Sequence, residues 1–241
     1  MIAWPASTPL TKKSNVNERP PEVVVRSFSL VVPALVALVA AFPASAAEDG
    51  LAGARALVEF LNPDDCDADL TSRFEGLEDV VHPVVWTEVD YEGKPVKRDG
   101  TLYEINCYLG AYNLVAAYVF APGESYGGGL HPVTFAVPDF TVDYAENDMT
   151  QTQLTQAPAV SGFATETTLI NPEFDPETNT ISTFEKWRGL GDAYSSGAWT
   201  LENGRFVLKR YVIDPIYEAN IEDPSQELID QNFILYDAGD R

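Results

Sequence analysis

Apolar positions along this 241-residue chain follow three successive patterns, and each predicts a different kind of element. Residues 30–42 form an uninterrupted apolar run of 13 residues, with Arg26 ahead of it and Pro43-Ala44-Ser45-Ala46-Ala47 behind. A cation, a short apolar core and a small-x-small site make up a secretory signal peptide, with cleavage expected after Ala46. A membrane anchor needs about 20 apolar residues, so this run is too short to span, and Pro33 weakens it further. No cysteine precedes Cys66, which excludes a lipid-modified cysteine at the cleavage site.

The second pattern is helical. Leu51, Ala54, Leu57, Val58 and Leu61 recur at three and four residues, predicting a helix over 47–61 that Pro63 stops. A second short helix is predicted over 69–77, with Leu70, Phe74 and Leu77 on one face. Beyond residue 84 the pattern becomes that of strands. Stretches 84–91, 101–109, 113–120, 133–137, 165–170, 180–184, 198–201, 206–213 and 233–236 alternate or run rich in β-branched and aromatic residues. Glu92-Gly93-Lys94-Pro95 reads as the turn between the first two. Asn203-Gly204 is a hairpin signal, because both residues tolerate positive φ. The polar stretch 143–159 reads as a loop. The predicted fold is mainly β, an antiparallel sandwich or half-open barrel, with a short N-terminal helical element.

The chain divides accordingly into 1–26, the signal 27–46, and a single mature β-rich domain over 47–241. Residues 1–26 hold Pro5, Pro9, Pro20 and Pro21 and no apolar periodicity, and a signal's charged region normally begins at the initiator Met. They are expected to be a misassigned start, with translation beginning near 23–25, or a disordered extension.

Charge changes the picture next. The chain carries 15 Lys and Arg against 37 Asp and Glu. Cleavage would remove Lys12, Lys13, Arg19 and Arg26 together with Glu18 and Glu22. That leaves 11 basic and 35 acidic residues, a net −24 over 195 residues. Such a surface repels phosphate backbones, so no nucleic acid is expected as partner, and no membrane insertion after signal cleavage. The charge serves solubility in saline surroundings, or it attracts a basic envelope protein. A glycan is the other partner expected of an envelope protein.

Candidate chemistry is sparse. Gly123-Glu124-Ser125-Tyr126-Gly127 matches the pattern of a nucleophile elbow, but Gly127-Gly128-Gly129-Leu130-His131-Pro132 cannot open the helix that an elbow requires. His131 is also the last histidine, which leaves no room for the acid that should precede it. No residue is assigned a catalytic role. His82 and His131 each precede a proline and have no His or Cys at metal-ligand spacing; a zinc site from both plus carboxylates is the only zinc arrangement open to them. No cofactor is expected beyond calcium, which Asp143, Glu146 and Asp148, or Asp175, Glu177 and Asn179, could ligate. The second trio reads more economically as a turn. Cys66 and Cys107 are the only cysteines, and an exported chain meets an oxidising compartment, so a disulfide is expected rather than two buried thiols.

Four stretches carry a resemblance. Cys107-Tyr108-Leu109-Gly110-Ala111-Tyr112-Asn113, then Asn171-Pro172-Glu173-Phe174-Asp175, then Arg188-Gly189-Leu190-Gly191-Asp192, then the hairpin over 199–208, occur in that order. Together they resemble an exported bacterial family, the domain of unknown function numbered 1176, over roughly residues 66–213. The resemblance implies an exported β-rich domain and assigns no activity. The family usually has a cysteine after the Gly-Asp pair and another after the hairpin. Here those places hold Ala193 and, approximately, Tyr217. A looser similarity extends to periplasmic inhibitors of lysozyme-like hydrolases, through the Asn-Pro-x-Phe-Asp strand and the hairpin. It implies a cleft-inserting loop, for which Ser195-Ser196-Gly197 is the candidate.

The reading is therefore an exported cell-envelope protein, periplasmic or secreted, that acts as a non-enzymatic binding domain, with a basic lysozyme-type hydrolase as the partner to test. Trp187, Arg188, Gly189, Gly191, Asp192, Ser195, Ser196 and Gly197 are the candidate binding residues. Arg188 and Asp192 have a plainer use, pairing across a tight turn that Gly189 and Gly191 permit. The alternative is a carboxylate-based hydrolase acting on envelope polymers, which a carboxylate cluster of raised pKa in a cleft would favour.

Overall fold

The structure is a computed structural model that describes residues 44–66, 77–123, 128–229 and 231–239. The leader 1–26, the apolar run 30–42, the expected helix over 69–77 except Leu77, and residues 124–127 of the elbow-like pattern lie outside the described residues.

Helix α1 (Ala44–Leu61) comes first. The strands then run β1 (Val80–Val89), β2 (Pro95–Leu109), β3 (Leu114–Pro122), β4 (His131–Pro132), β5 (Phe135–Thr141) and β6 (Ala159–Glu166). They continue as β7 (Thr168–Ile170), β8 (Pro172–Asp175), β9 (Thr180–Thr183), β10 (Glu185–Lys186), β11 (Tyr194–Glu202) and β12 (Arg205–Asp214). A 3-10 turn (Glu218–Asn220) and a one-turn helix α2 (Gln226–Ile229) precede β13 (Phe233–Asp237).

Every pairing is antiparallel. In the first sheet β1, β2 and β3 are neighbours in that order, and β4 and β7 share the far edge of β3. In the second the order is β13-β12-β11-β9-β8, with β10 beside β9 on the same edge of β11. β5 and β6 form a separate ribbon.

The first sheet is covered on both faces. Ala54 and Val58 of α1 pack with Cys66, Tyr103, Ile105, Cys107, Ala117 and Val119 on one side. On the other, Val84, Trp86, Leu102, Tyr118 and Phe120 meet Ile181, Trp199, Leu208, Tyr211 and Ile213 of the second sheet, with Phe135 of β5 among them. Ala117 and Val119 therefore face the helix, while Tyr118 and Phe120 face the second sheet. A strand buried on both faces loses its polar alternation, which is why 113–120 reads as a continuous apolar run. The result is a sandwich whose sheets do not close into a barrel. Cys66 and Cys107 form the expected disulfide, which ties the chain leaving α1 to β2.

Local chemistry explains the turns. Asn203 and Gly204 have φ of 49° and 75°, and the β11–β12 hairpin turns on them as predicted. The loop over 143–158 is organised by Asp148, whose carboxylate accepts the backbone N–H groups of Thr150, Thr152 and Gln153. Its predicted end at residue 159 is where β6 begins. One expectation is corrected: Ser195-Ser196-Gly197 is not a loop but lies within β11, paired with Ile213, Val212 and Tyr211. Small residues have weak strand preference, and here cross-strand pairing and burial override it.

Candidate functional site

The three motifs before the hairpin converge at one end of the sandwich. Asn171 (φ 45°) donates to Asn113 Oδ1 at 2.7 Å and to the Phe184 carbonyl at 2.8 Å, and accepts from the Leu114 N–H at 2.7 Å. Asn113 in turn donates to the Lys186 carbonyl at 2.9 Å. The Tyr112 ring lies against Gly189, where an added Cβ would meet it at 3.4 Å. These residues stitch the first sheet to the turn that joins β10 to β11.

That turn is latched from within. Gly191 takes φ 71° and its N–H donates to the Arg188 carbonyl at 2.9 Å. Arg188 grips Asp192 through both Nε, at 2.7 Å, and Nη2. Its Nη1 donates to Asn220 at 3.0 Å, and its guanidinium carbon sits 4.7 Å from the Tyr217 ring centroid. Asp192 also accepts the Ala219 N–H, at 3.1 Å. The Arg188 hydrogen bond holds the Asp192 carboxyl down to about 2. Arg188 and Asp192 thus do the plainer of their two expected tasks and fasten the 3-10 turn. The segments bearing Ala193 and Tyr217 are joined here by these polar contacts.

Behind the turn Trp187 donates its indole N–H to Ser195 Oγ at 2.7 Å and stacks on Phe140 with an interplanar angle of 17°. Ser195 is buried, Ser196 half-buried, and Gly197 donates its N–H to Thr183 Oγ1 at 2.9 Å. Ser195 also sits beside Glu185 across the β10–β11 pairing and favours its ionised form. Ser195 and Gly197 are buried within β11, and Thr183, which accepts from Gly197, lines a cavity.

The cavity, about 240 Å³, is lined by Glu166 of β6, Thr168 of β7, Thr183 of β9, Glu185 of β10, Trp199 of β11 and Tyr211 of β12, among others. All three sheets contribute. Glu166 is exposed and Glu185 half-buried, while Trp199 and Tyr211 belong to the core. Burial raises the Glu185 pKa, and the like charge of Glu166 adds to the shift, which Ser195 opposes. Burial, with Glu185 nearby, pushes the Tyr211 hydroxyl up to about 12. Sequence reasoning missed this pair. Both are strand-end glutamates in a chain rich in glutamate, and no spacing marks them.

A second carboxyl pair lies where β12 ends. Burial pushes Asp214 up to about 7, with the neighbouring Glu218 contributing, while the Ile216 N–H donates to it at 3.1 Å. Burial raises Glu218 as well.

The metal candidates separate. His82, Leu102, Phe120 and His131 are successive partners across the first sheet, so three strand spacings of ~4.8 Å keep the histidines about 14 Å apart. They cannot share a zinc ion, and His82 instead contacts Glu104 at 3.0 Å. Asp143 accepts from Gln156, and Asp148 is occupied by its own loop. Asp175 accepts from the Glu177 N–H and the Thr178 hydroxyl, and Asn179 takes φ 51°, which makes the second trio a turn. Among the described residues no group of three or more His, Cys, Asp or Glu is arranged to hold a metal.

The family model described as "Protein of unknown function (DUF1176)" matches residues 86–217. The chain belongs to this family. The DUF1176 match begins at Trp86 in β1 and ends at Tyr217 under Arg188, so it takes in both the latched turn and the cavity. No curated protein and no solved structure matches the chain.

Proposed function

We propose that this chain is an exported, non-enzymatic binding domain of the cell envelope whose partner is a basic protein. The observation that carries the reading is charge: 35 acidic against 11 basic residues once residues 1–46 are removed. Opposite charge raises association rates, and salt weakens it, since screening reaches ~8 Å at physiological ionic strength. The disulfide and the apolar run 30–42 support the address. Basic muramidases are the first partners to try. The protein should slow them at low salt and less so at high salt. Absence of inhibition across a panel, or inhibition matched by any polyanion of similar charge, would remove the reading.

A second reading, a hydrolase of envelope polymers, is favoured by one observation, the raised Glu185 carboxyl facing the same cavity as Glu166. Size argues against it. At about 240 Å³ the cavity falls below the ~300–1,000 Å³ usual for pockets that enclose a small ligand, and a polymer needs more. Release of soluble fragments from purified envelope polymer, lost in Glu185→Gln, would establish the hydrolase instead.

A further inference from the structure

The cavity between the three sheets has a composition that selects its occupant. Glu166 and Glu185 both line it, and among the described residues neither has a cationic partner. The half-buried Glu185 loses hydration and is repelled by Glu166, a cost that a cation between them reverses. Trp199 and Tyr211, two aromatic residues of the core, also line the space. Ring faces attract cations and carry the apolar stem that brings one in. Thr168 and Thr183 add hydroxyl oxygens.

We propose that this cavity receives a primary ammonium group at the end of a flexible alkyl chain, the side chain of a lysine on the basic partner, an inference that rests on the binding reading above. An ammonium is a compact charge with three donors, which suits two carboxylates from different strands and a hydroxyl. A guanidinium is planar and prefers a two-pronged grip on one carboxylate, which two separate glutamates do not offer. Glu166, exposed at the end of β6, meets the charge first; Glu185, half-buried beside its cross-strand neighbour Ser195, holds it deeper.

Calorimetric titration of the disulfide-bonded protein tests this, with Nα-acetyl-lysine methylamide, cadaverine and the neutral norleucine analogue as probes. Capped lysine should bind saturably at one site while the norleucine analogue does not. Glu185→Gln and Glu166→Gln should each weaken it about tenfold, the scale of losing one charge-assisted contact. Glu222→Gln, an exposed change outside the cavity, should leave it unaltered. Glutamine at 185 keeps the shape and removes a charge that burial disfavours, and Glu166 is exposed, so neither variant should melt below wild type. Equal binding of the norleucine analogue, or undiminished binding by both variants, overturns the proposal. Binding of cadaverine without capped lysine would retain the ammonium and overturn its lysine source. The muramidase panel reads the wider proposal separately. Partners captured equally by wild type and Glu185→Gln overturn the cavity's role alone. A failed panel with capped lysine still bound removes the basic-protein reading and leaves ammonium recognition standing.

Discussion

Asp214 ends β12 with its carboxyl buried beside Glu218, and the pKa pushed up to about 7 means that the fold prefers it protonated. A carboxyl whose folded pKa exceeds its unfolded value of ~3.9 stabilises fully below that value and loses the contribution as pH rises through the folded pKa. The window is therefore about pH 4 to 7, and the loss is at most about 4 kcal/mol at ~1.4 kcal/mol per pKa step. Asn at this position keeps an oxygen for the Ile216 N–H and carries no charge. Asp214→Asn should flatten the fall in melting temperature across that window and be the more stable protein above it. A variant that falls as steeply as wild type would clear Asp214 of the effect. Gly197 is the other residue with a sharp requirement. A Cβ there would overlap the Trp199 ring, which is buried and hemmed by Phe135 and Tyr211. Gly197→Ala should cost roughly 2–4 kcal/mol in denaturant unfolding, an overpacking penalty at its upper end.

At the scale of elements, legibility followed burial. Helix α1 was readable because one stripe packs on the first sheet and its period survives in the sequence. β3 was readable as a strand, yet its two-sided burial was not, since an apolar run alone does not say what covers it. The β10–β11 turn was readable as a tight turn from its glycines, whereas the continuation of β11 through Ser195-Ser196-Gly197 was hidden behind residues that suit loops. The Cys66–Cys107 bridge joins two elements whose own contact is modest in extent. Closing a separation of 41 residues should contribute about 4 kcal/mol in the chain-entropy account, with strain reducing it. Cys66→Ala should accordingly lower the unfolding free energy by up to that amount, and peptide mapping without reductant should recover the two cysteines joined. Two thiols that titrate in native protein would contradict the bridge.

For the whole molecule, charge is the governing quantity. A net −22 destabilises the compact state by self-repulsion, which salt relieves, so stability should rise with ionic strength even as capture of a basic partner weakens. Opposed salt trends in one protein separate folding from binding. Processing is the other expectation at this scale. Mass spectrometry of exported protein should find an N-terminus at Ala47, and peptides from residues 1–22 would contradict a start near 23–25.

The sequence by itself determined the class of fold, the helix, the hairpin at Asn203-Gly204 and the cysteine pair, because each depends on local periodicity, turn chemistry or a simple count. It also showed which motifs belong together, without saying what they do. Tertiary structure decided that Arg188 and Asp192 form a latch with Tyr217 and Ala219, four residues contributed by two separate segments. It likewise decided that Glu166 and Glu185, in different sheets, face one cavity. The physical reason is the same in both cases. A carboxylate's partners come from chain that is distant in sequence, and nothing in the local pattern of a strand records what the opposite sheet brings to it.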